Sequence, residues 1–473
     1  MLFLEFANLH GLLLCNWAKI ISNNLLIQNT FKLQKISNVK KYQLIFLVYM
    51  ICTTDVSAQF LMDMVDTSSN AQKGLMSISK KSDLLKIGGY IQPQYQVAQR
   101  KGIESYEGTD FAPQVSNRFI LRRSRIRLDY VHKELDGNAP SVQIAFQFDV
   151  NERSFTVRDV WGRVFENKWK LLSFTTGIFA RPFGYETNLS SSDRESPERG
   201  RLNQAYMRSE RDLGAMVSFN DRTQKHALKN FKIDLGFFNG QGINATGDFD
   251  NYKDFIGRLS LKRIRLNKKV SLTAGTSVLL GGLENNTKYI YSTQSVGGFQ
   301  KLVVDSAINN IGTRSPRQYH GVDAQLKIKN KVGFTEFRGE YIRGTQTGTA
   351  TSIETPNSLL FAPLDGFHVR NFNGAYFYFL QNIFSPKHQL VVKLDWLDPN
   401  TRVKKTDVGA AGADLSAANI KYTTLGAGYL NYLTDNVKLL LYYARVWNER
   451  TNLEGFRNDL KDNVFTCRLQ FRF

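Results

Sequence analysis

The chain has 473 residues, 62 Lys and Arg against 42 Asp and Glu, a formal charge of +20 and a hydrophobic content of 42%. Beyond residue 60 no stretch approaches the ~20 continuous apolar residues of a membrane-spanning helix, which argues against a helical membrane protein. The basic balance predicts an anionic partner, but zinc-finger spacing, an RNA-binding signature and a basic helix are all missing, so nucleic acid is not the expected one.

Residues 1–58 read as a targeting segment. Lys40 and Lys41 precede an apolar run over 44–52, and Val56-Ser57-Ala58 supplies small residues for a cleavage that would leave Gln59 first. The stretch before Lys40 is long for such a signal, which suggests a start downstream of Met1. A lipid-modified Cys52 is the alternative, with the bulky Ile51 against it. N-terminal sequencing separates the two. Residues 59–83 are polar and Ser/Lys-rich without a period, the pattern of a flexible periplasmic leader.

From residue 84 onward the chain reads as strand after strand. The expected strands are 85–98, 118–131, 142–150, 154–165, 171–185, 212–220, 231–239, 254–262, 271–280, 319–329, 332–345, 372–381, 389–397, 421–433, 437–447 and 464–473, sixteen in all. The connections after even-numbered strands are mostly short (166–170, 330–331, 382–387, 434–436). Those after odd-numbered strands are mostly long (186–211, 281–318, 346–371, 398–420, 448–463), with 151–153 the exception. A soluble sandwich has no reason to sort its loops by parity. A transmembrane antiparallel β-barrel does, with long extracellular loops, short periplasmic turns and both ends of residues 84–473 on the periplasmic side. Aromatic content of 12%, with 33 Phe and 20 Tyr, suits strands and aromatic girdles.

In the second strand Ile126, Leu128 and Tyr130 share one face, and Arg123, Arg125, Arg127 and Asp129 share the other. An arginine against lipid near the midplane costs ~2–4 kcal/mol, so the arginines are expected to face the lumen. Spaced at roughly 6.5–7 Å, they would form a ladder of guanidiniums for oxyanions. Arg122 has the lipid parity and would have to snorkel. The alternative is a solvated cationic strand without a selectivity role.

The 186–211 loop carries Arg194, Arg199, Arg201, Arg208 and Arg211 against Glu186, Asp193, Glu195, Glu198 and Glu210. It stands where a constriction loop would fold inward, and Arg199 and Arg201 are its candidate anion ligands. An internally salt-bridged, neutral loop is the equal alternative. In the last strand Phe465, Cys467, Leu469, Phe471 and Phe473 alternate with Thr466, Arg468, Gln470 and Arg472. The first set would face lipid and the second the lumen. Phe473 is expected to serve as a signal to the outer-membrane assembly machinery. Removing residues 1–58 takes away Cys15 and Cys52, so Cys467 reads as a small hydrophobe. The same cut removes five Lys, Glu5 and Asp55, leaving 57 basic and 40 acidic residues for an anionic solute or a lipopolysaccharide surface. The six His have no metal spacing, no catalytic set stands out, and no cofactor is expected.

Five stretches resemble the phosphate-selective porin O/P family, especially its Bacteroidetes-type members. They are Phe119-Ile120-Leu121-Arg122-Arg123-Ser124-Arg125-Ile126-Arg127-Leu128, Gly177-Ile178-Phe179-Ala180-Arg181-Pro182-Phe183-Gly184-Tyr185-Glu186, Arg208-Ser209-Glu210-Arg211-Asp212-Leu213-Gly214, Phe237-Phe238-Asn239-Gly240-Gln241-Gly242 and Asp395-Trp396-Leu397-Asp398-Pro399-Asn400. The resemblance implies a sixteen-stranded outer-membrane porin, trimeric, passing small anions of the phosphate type and catalysing no reaction. It does not distinguish phosphate from other anions. A general porin, a barrel enzyme acting on lipid and an adhesin remain the other readings.

Overall fold

The computed structural model describes residues 84–133, 139–358 and 366–473. The expected targeting segment over 1–58 and leader over 59–83 lie outside them. In chain order the strands are β1 (Leu85–Ala98), β2 (Asn117–Lys133), β3 (Pro140–Val150), β4 (Phe155–Phe165), β5 (Leu172–Ala180), β6 (Arg211–Asn220), β7 (Phe231–Phe238), β8 (Asp254–Arg265) and β9 (Val270–Glu284). They continue with β10 (Ile290–Val296), β11 (Phe299–Asp305), β12 (Arg314–Asn330), β13 (Gly333–Gly348), β14 (Phe367–Asn382), β15 (His388–Asp398), β16 (Tyr422–Tyr432), β17 (Val437–Asn448) and β18 (Val464–Arg472).

Each wall strand pairs antiparallel with the next. β9 passes over β10 and β11 to pair with β12 (Arg314↔Glu284 to Ile328↔Val270), and β18 returns to β1 (Ala98↔Val464, Tyr90↔Arg472). The wall is therefore a closed barrel of sixteen strands, and closure leaves no unpaired edge in the membrane. β10 and β11 form a hairpin inside the long loop expected over 281–318. It pairs in parallel with the start of β14 and leans on the loop after β15, where Asn400 donates to the Thr293 hydroxyl at 2.8 Å.

The alternation sorts side chains by medium. Gln92, Gln94, Gln96, Arg123, Arg125 and Arg468 are buried inside, while Ile91, Ile126, Phe146, Phe174, Phe237, Phe377 and Phe471 are exposed outside. Charged inside and apolar outside is the reverse of a soluble domain and the requirement of a barrel in lipid. Short turns close one end (166–171, 266–269, 331–332, 433–436) and long loops the other. Protease added outside intact cells should therefore cut within 283–316 or 346–370, and most readily at the exposed hairpin tip Gly297-Gly298. Cleavage confined to the short turns would invert the topology.

Three irregularities in the wall matter for the interior. Opposite Pro93 the register of β1 and β2 slips by one, with Gln92↔Arg123 but Pro93↔Leu121. Pro93 has no N–H for the ladder, and a bulge accommodates that. Arg122 is the extra residue, so the lipid-side position expected for it is corrected: it turns inward. Arg158 is the extra residue of a second bulge, between Gln147↔Asp159 and Phe148↔Val157. Lys262 and Arg263 stand at a third, between Leu261↔Ala274 and Ile264↔Leu272. Each bulge adds basic residues.

Candidate pore and constriction loop

β5 ends at Ala180, five residues short of the expected limit, because Pro182 cannot donate to a sheet. Gly184, with φ of 68°, then turns the chain into the barrel. A Cβ there would collide with the Glu340 carboxylate. That carboxylate instead accepts the backbone N–H of Tyr185 at 3.2 Å and of Glu186 at 3.1 Å, which fixes the entry of the loop.

The 181–210 loop brings its own core. Phe183, Leu202, Ala205, Tyr206 and Met207 pack on the inward residues Phe179, Met216, Phe238, Tyr319 and Phe372 of the wall. Leu202 and its neighbours lie on a single short helix, α1 (Arg201–Tyr206). The interior is thus partly filled by an apolar plug, which an open tube of charged residues could not hold in place.

Ion pairs secure the rest of the loop to the wall. Asp193 meets Arg472 at 3.1 Å and Glu195 meets Arg338 at 2.9 Å. Glu198 is shared by Arg123 at 2.6 Å, Arg122 at 2.9 Å and Arg468 at 3.1 Å. Lys438 donates to the carbonyls of Ser192 and Arg194 at 2.6 and 3.2 Å. Glu210 is held by Arg211 at 2.7 Å, Arg199 at 3.5 Å and the bulged Arg158. Burial disfavours the charged forms of Glu198 and Glu210, but the guanidiniums around them outweigh it and hold both carboxyls well below the usual range. Most of the loop's acids are thus neutralised by the wall rather than within the loop. Two bulges supply an additional arginine each for this.

The candidate residues from sequence divide accordingly. Arg123 is buried against Glu198 and anchors the loop. Arg125 donates to Asp149 at 3.0 Å and to the Ser191 hydroxyl at 3.2 Å. Arg127 is paired with Asp129 at 2.6 Å and Asp159 at 3.5 Å, and its side chain is 32% exposed to the lumen. Arg199 also donates to the carbonyls of Glu186 and Thr187 at 2.9 and 3.0 Å. Arg201 stacks on the rings of Tyr422 and Tyr106, at 3.7 and 4.5 Å from their centroids. Phe473 is exposed, and its backbone exchanges two 3.0 Å hydrogen bonds with Gly89.

Beside the loop lies an open cavity of about 650 Å³. Its lining comes from strands β2 to β9, from β12 and β13, from Tyr432 of β16 and Arg472 of β18, and from loop residues including Thr187, Ser190 and Arg199. Twelve Lys and Arg line it against six Asp and Glu. Arg125, Arg127 and Arg199 are among the twelve; Arg123 and Arg201 are not. Sequence reasoning missed Arg163, Lys232, Arg258, Lys262, Arg263, Lys327 and Arg338, three of them on β8 and one each on β4, β7, β12 and β13. Arg258 pairs with Asp323 at 2.7 Å, and Arg163 donates to the Thr175 hydroxyl at 2.8 Å. Counting inward parity strand by strand would have found most of them; the bulge at Lys262 and Arg263 would have hidden one.

No protein-family model and no curated protein matches the chain. Among solved structures it is similar to the outer membrane channel DcaP of Acinetobacter baumannii, with 11% identity, a TM-score of 0.48, and 82% of this chain and 97% of that one covered. It is similar to an anion-selective porin from Comamonas acidovorans, with 10% identity, a TM-score of 0.48 and coverage of 82% and 99%. It is also similar to the trimer form of OmpT, an outer membrane protein of Vibrio cholerae, with 9% identity, a TM-score of 0.44 and coverage of 82% and 99%.

Proposed function

We propose that the barrel is an outer-membrane diffusion pore that prefers small anions, with phosphate and other oxyanions as its solute class. The observation that carries this reading is the twofold excess of cations over acids in the cavity beside the constriction loop. A permeating anion there is never far from a guanidinium or ammonium, yet most of those cations already have partners. Several moderate sites in series suit conduction better than one deep site. Arg125 and Arg127 from the basic second strand, and Arg199 from the loop, act on the solute; Arg123 acts through Glu198 by holding the loop. Arginine's planar fork suits oxyanions better than halides. The pore works by passive diffusion and needs no cofactor. The resemblance to phosphate-selective porins implies a trimer, which light scattering on the purified barrel would test.

Chloride current through the purified protein in a planar bilayer tests the solute class. Added inorganic phosphate should lower that current in a saturable way, because an oxyanion lingers on the forked donors. A chloride current indifferent to phosphate would leave a general porin, the reading favoured by the six acids in the same lining.

A further inference from the structure

The short-turn end of the barrel carries charge that the pore does not use. On the turns β4–β5, β6–β7, β8–β9 and β12–β13, together with the strand residues that flank them, nine Lys and Arg are exposed and no Asp or Glu is. The two acids of these turns are spent on the backbone. Glu166 accepts from Trp169 N at 2.5 Å and from Leu171 N at 3.2 Å. Asp221 accepts from Thr223 N and His226 N, both at 2.8 Å. Asn267 does the same for Lys269 N and Val270 N at 2.8 Å. The exposed charged side chains of these turns are thus all cations.

Large apolar side chains stand among these cations. Trp169, between Lys168 and Lys170, is 61% exposed, and Leu266, beside Arg265 and close to Lys268 and Lys269, is 56% exposed. On the next turn along, β14–β15, Phe384 is 82% exposed. The Lys168 ammonium lies 5.3 Å from the Trp169 ring centroid. The β16–β17 turn, by contrast, exposes Thr434, Asp435 and Asn436 and no cation.

We infer that this arc, from β4 to β15, is a docking surface for anionic phospholipid headgroups of the leaflet at the short-turn end. The barrel's apolar outer band ends here, so the turns lie at headgroup depth. Lysines there reach lipid phosphates, and Trp, Leu and Phe enter the acyl boundary beside them. A soluble acidic polymer would meet the charge but leave the apolar side chains in water. The inference rests on the membrane-spanning barrel and not on anion conduction.

The test uses the full chain, folded into vesicles of equimolar phosphatidylglycerol and phosphatidylcholine and extracted in mild detergent. Native mass spectrometry counts the lipids that stay on the barrel. Phosphatidylglycerol should be retained over phosphatidylcholine by about fivefold or more, the factor that ~1 kcal/mol per lysine near an anionic surface implies. The variant Lys168→Gln/Lys170→Gln/Lys268→Gln/Lys269→Gln should bring the ratio toward one. Lys268→Gln/Lys269→Gln alone should lower it in part, and serves if the fourfold variant does not fold. A ratio near one for the unaltered protein, or an unchanged ratio in a folded variant, overturns the inference. Displacement of the retained phosphatidylglycerol by soluble polyglutamate would assign the surface to an acidic partner and overturn it equally. Chloride current on the same preparations keeps the outcomes apart: lost lipid preference with intact current sinks this inference alone.

Discussion

Replacing Glu198 by Gln should release the constriction loop from the wall and raise single-channel conductance. Glu198 is the point where Arg122, Arg123 and Arg468 converge, and all four groups are largely withdrawn from water. Removing the one carboxylate leaves three guanidiniums facing each other. Breaking a buried pair from one side costs ~3–5 kcal/mol, because the remaining charge is left uncompensated. The apolar plug of Phe183, Leu202 and Tyr206 should keep the base of the loop in place, so the barrel itself should still fold. The expected result is a heat-modifiable barrel with larger and noisier current steps. Arg122→Gln should act in the same direction but less, since Arg123 and Arg468 still hold the carboxylate. Conductance steps unchanged in Glu198→Gln would mean that the loop does not narrow the pore.

The second large effect is expected from the lining itself. Replacing Arg127 and Arg163 by Gln removes two cations from the cavity wall while keeping polar side chains of similar reach. Strand pairing is untouched, because both face the lumen and their outward neighbours Ile126, Leu128 and Val164 remain. The preference for anions should fall most clearly at low salt, where the Debye length is roughly 30 Å at 0.01 M and the excess positive charge of the lining still acts across the lumen. Arg123→Gln is the control: Arg123 is absent from the cavity lining, so it should alter loop stability more than ion selectivity. If Arg123→Gln lowers selectivity as much as Arg127→Gln, the division between anchoring and lining arginines is wrong.

The barrel was legible because lipid and lumen impose opposite demands on alternate residues. That alternation alone places β1 over 85–98 and β17 over 437–447, each within a residue of the observed strand. The same alternation overextends β5, since Phe183 and Tyr185 continue the pattern after Pro182 has ended the pairing. The β10–β11 hairpin falls inside the loop expected over 281–318, although Gly297-Gly298 between two short β-branched runs is a hairpin signal. The Arg122 parity failed because period two holds only until a bulge, and the cause, Pro93, lies on another strand. The arginines of the second strand were legible as inward-facing; their partners were not. Glu198 is 75 residues from Arg123 and 270 from Arg468, and only the inward fold of the loop brings them together.

The reversal potential of the unaltered pore in a KCl gradient tests the central claim most directly. With a roughly tenfold gradient and the dilute side near 0.01 M, where screening is weakest, chloride should cross faster than potassium. The dilute side should then become negative with respect to the concentrated side at zero current. A potential of the opposite sign, or none, would contradict an anion-preferring pore.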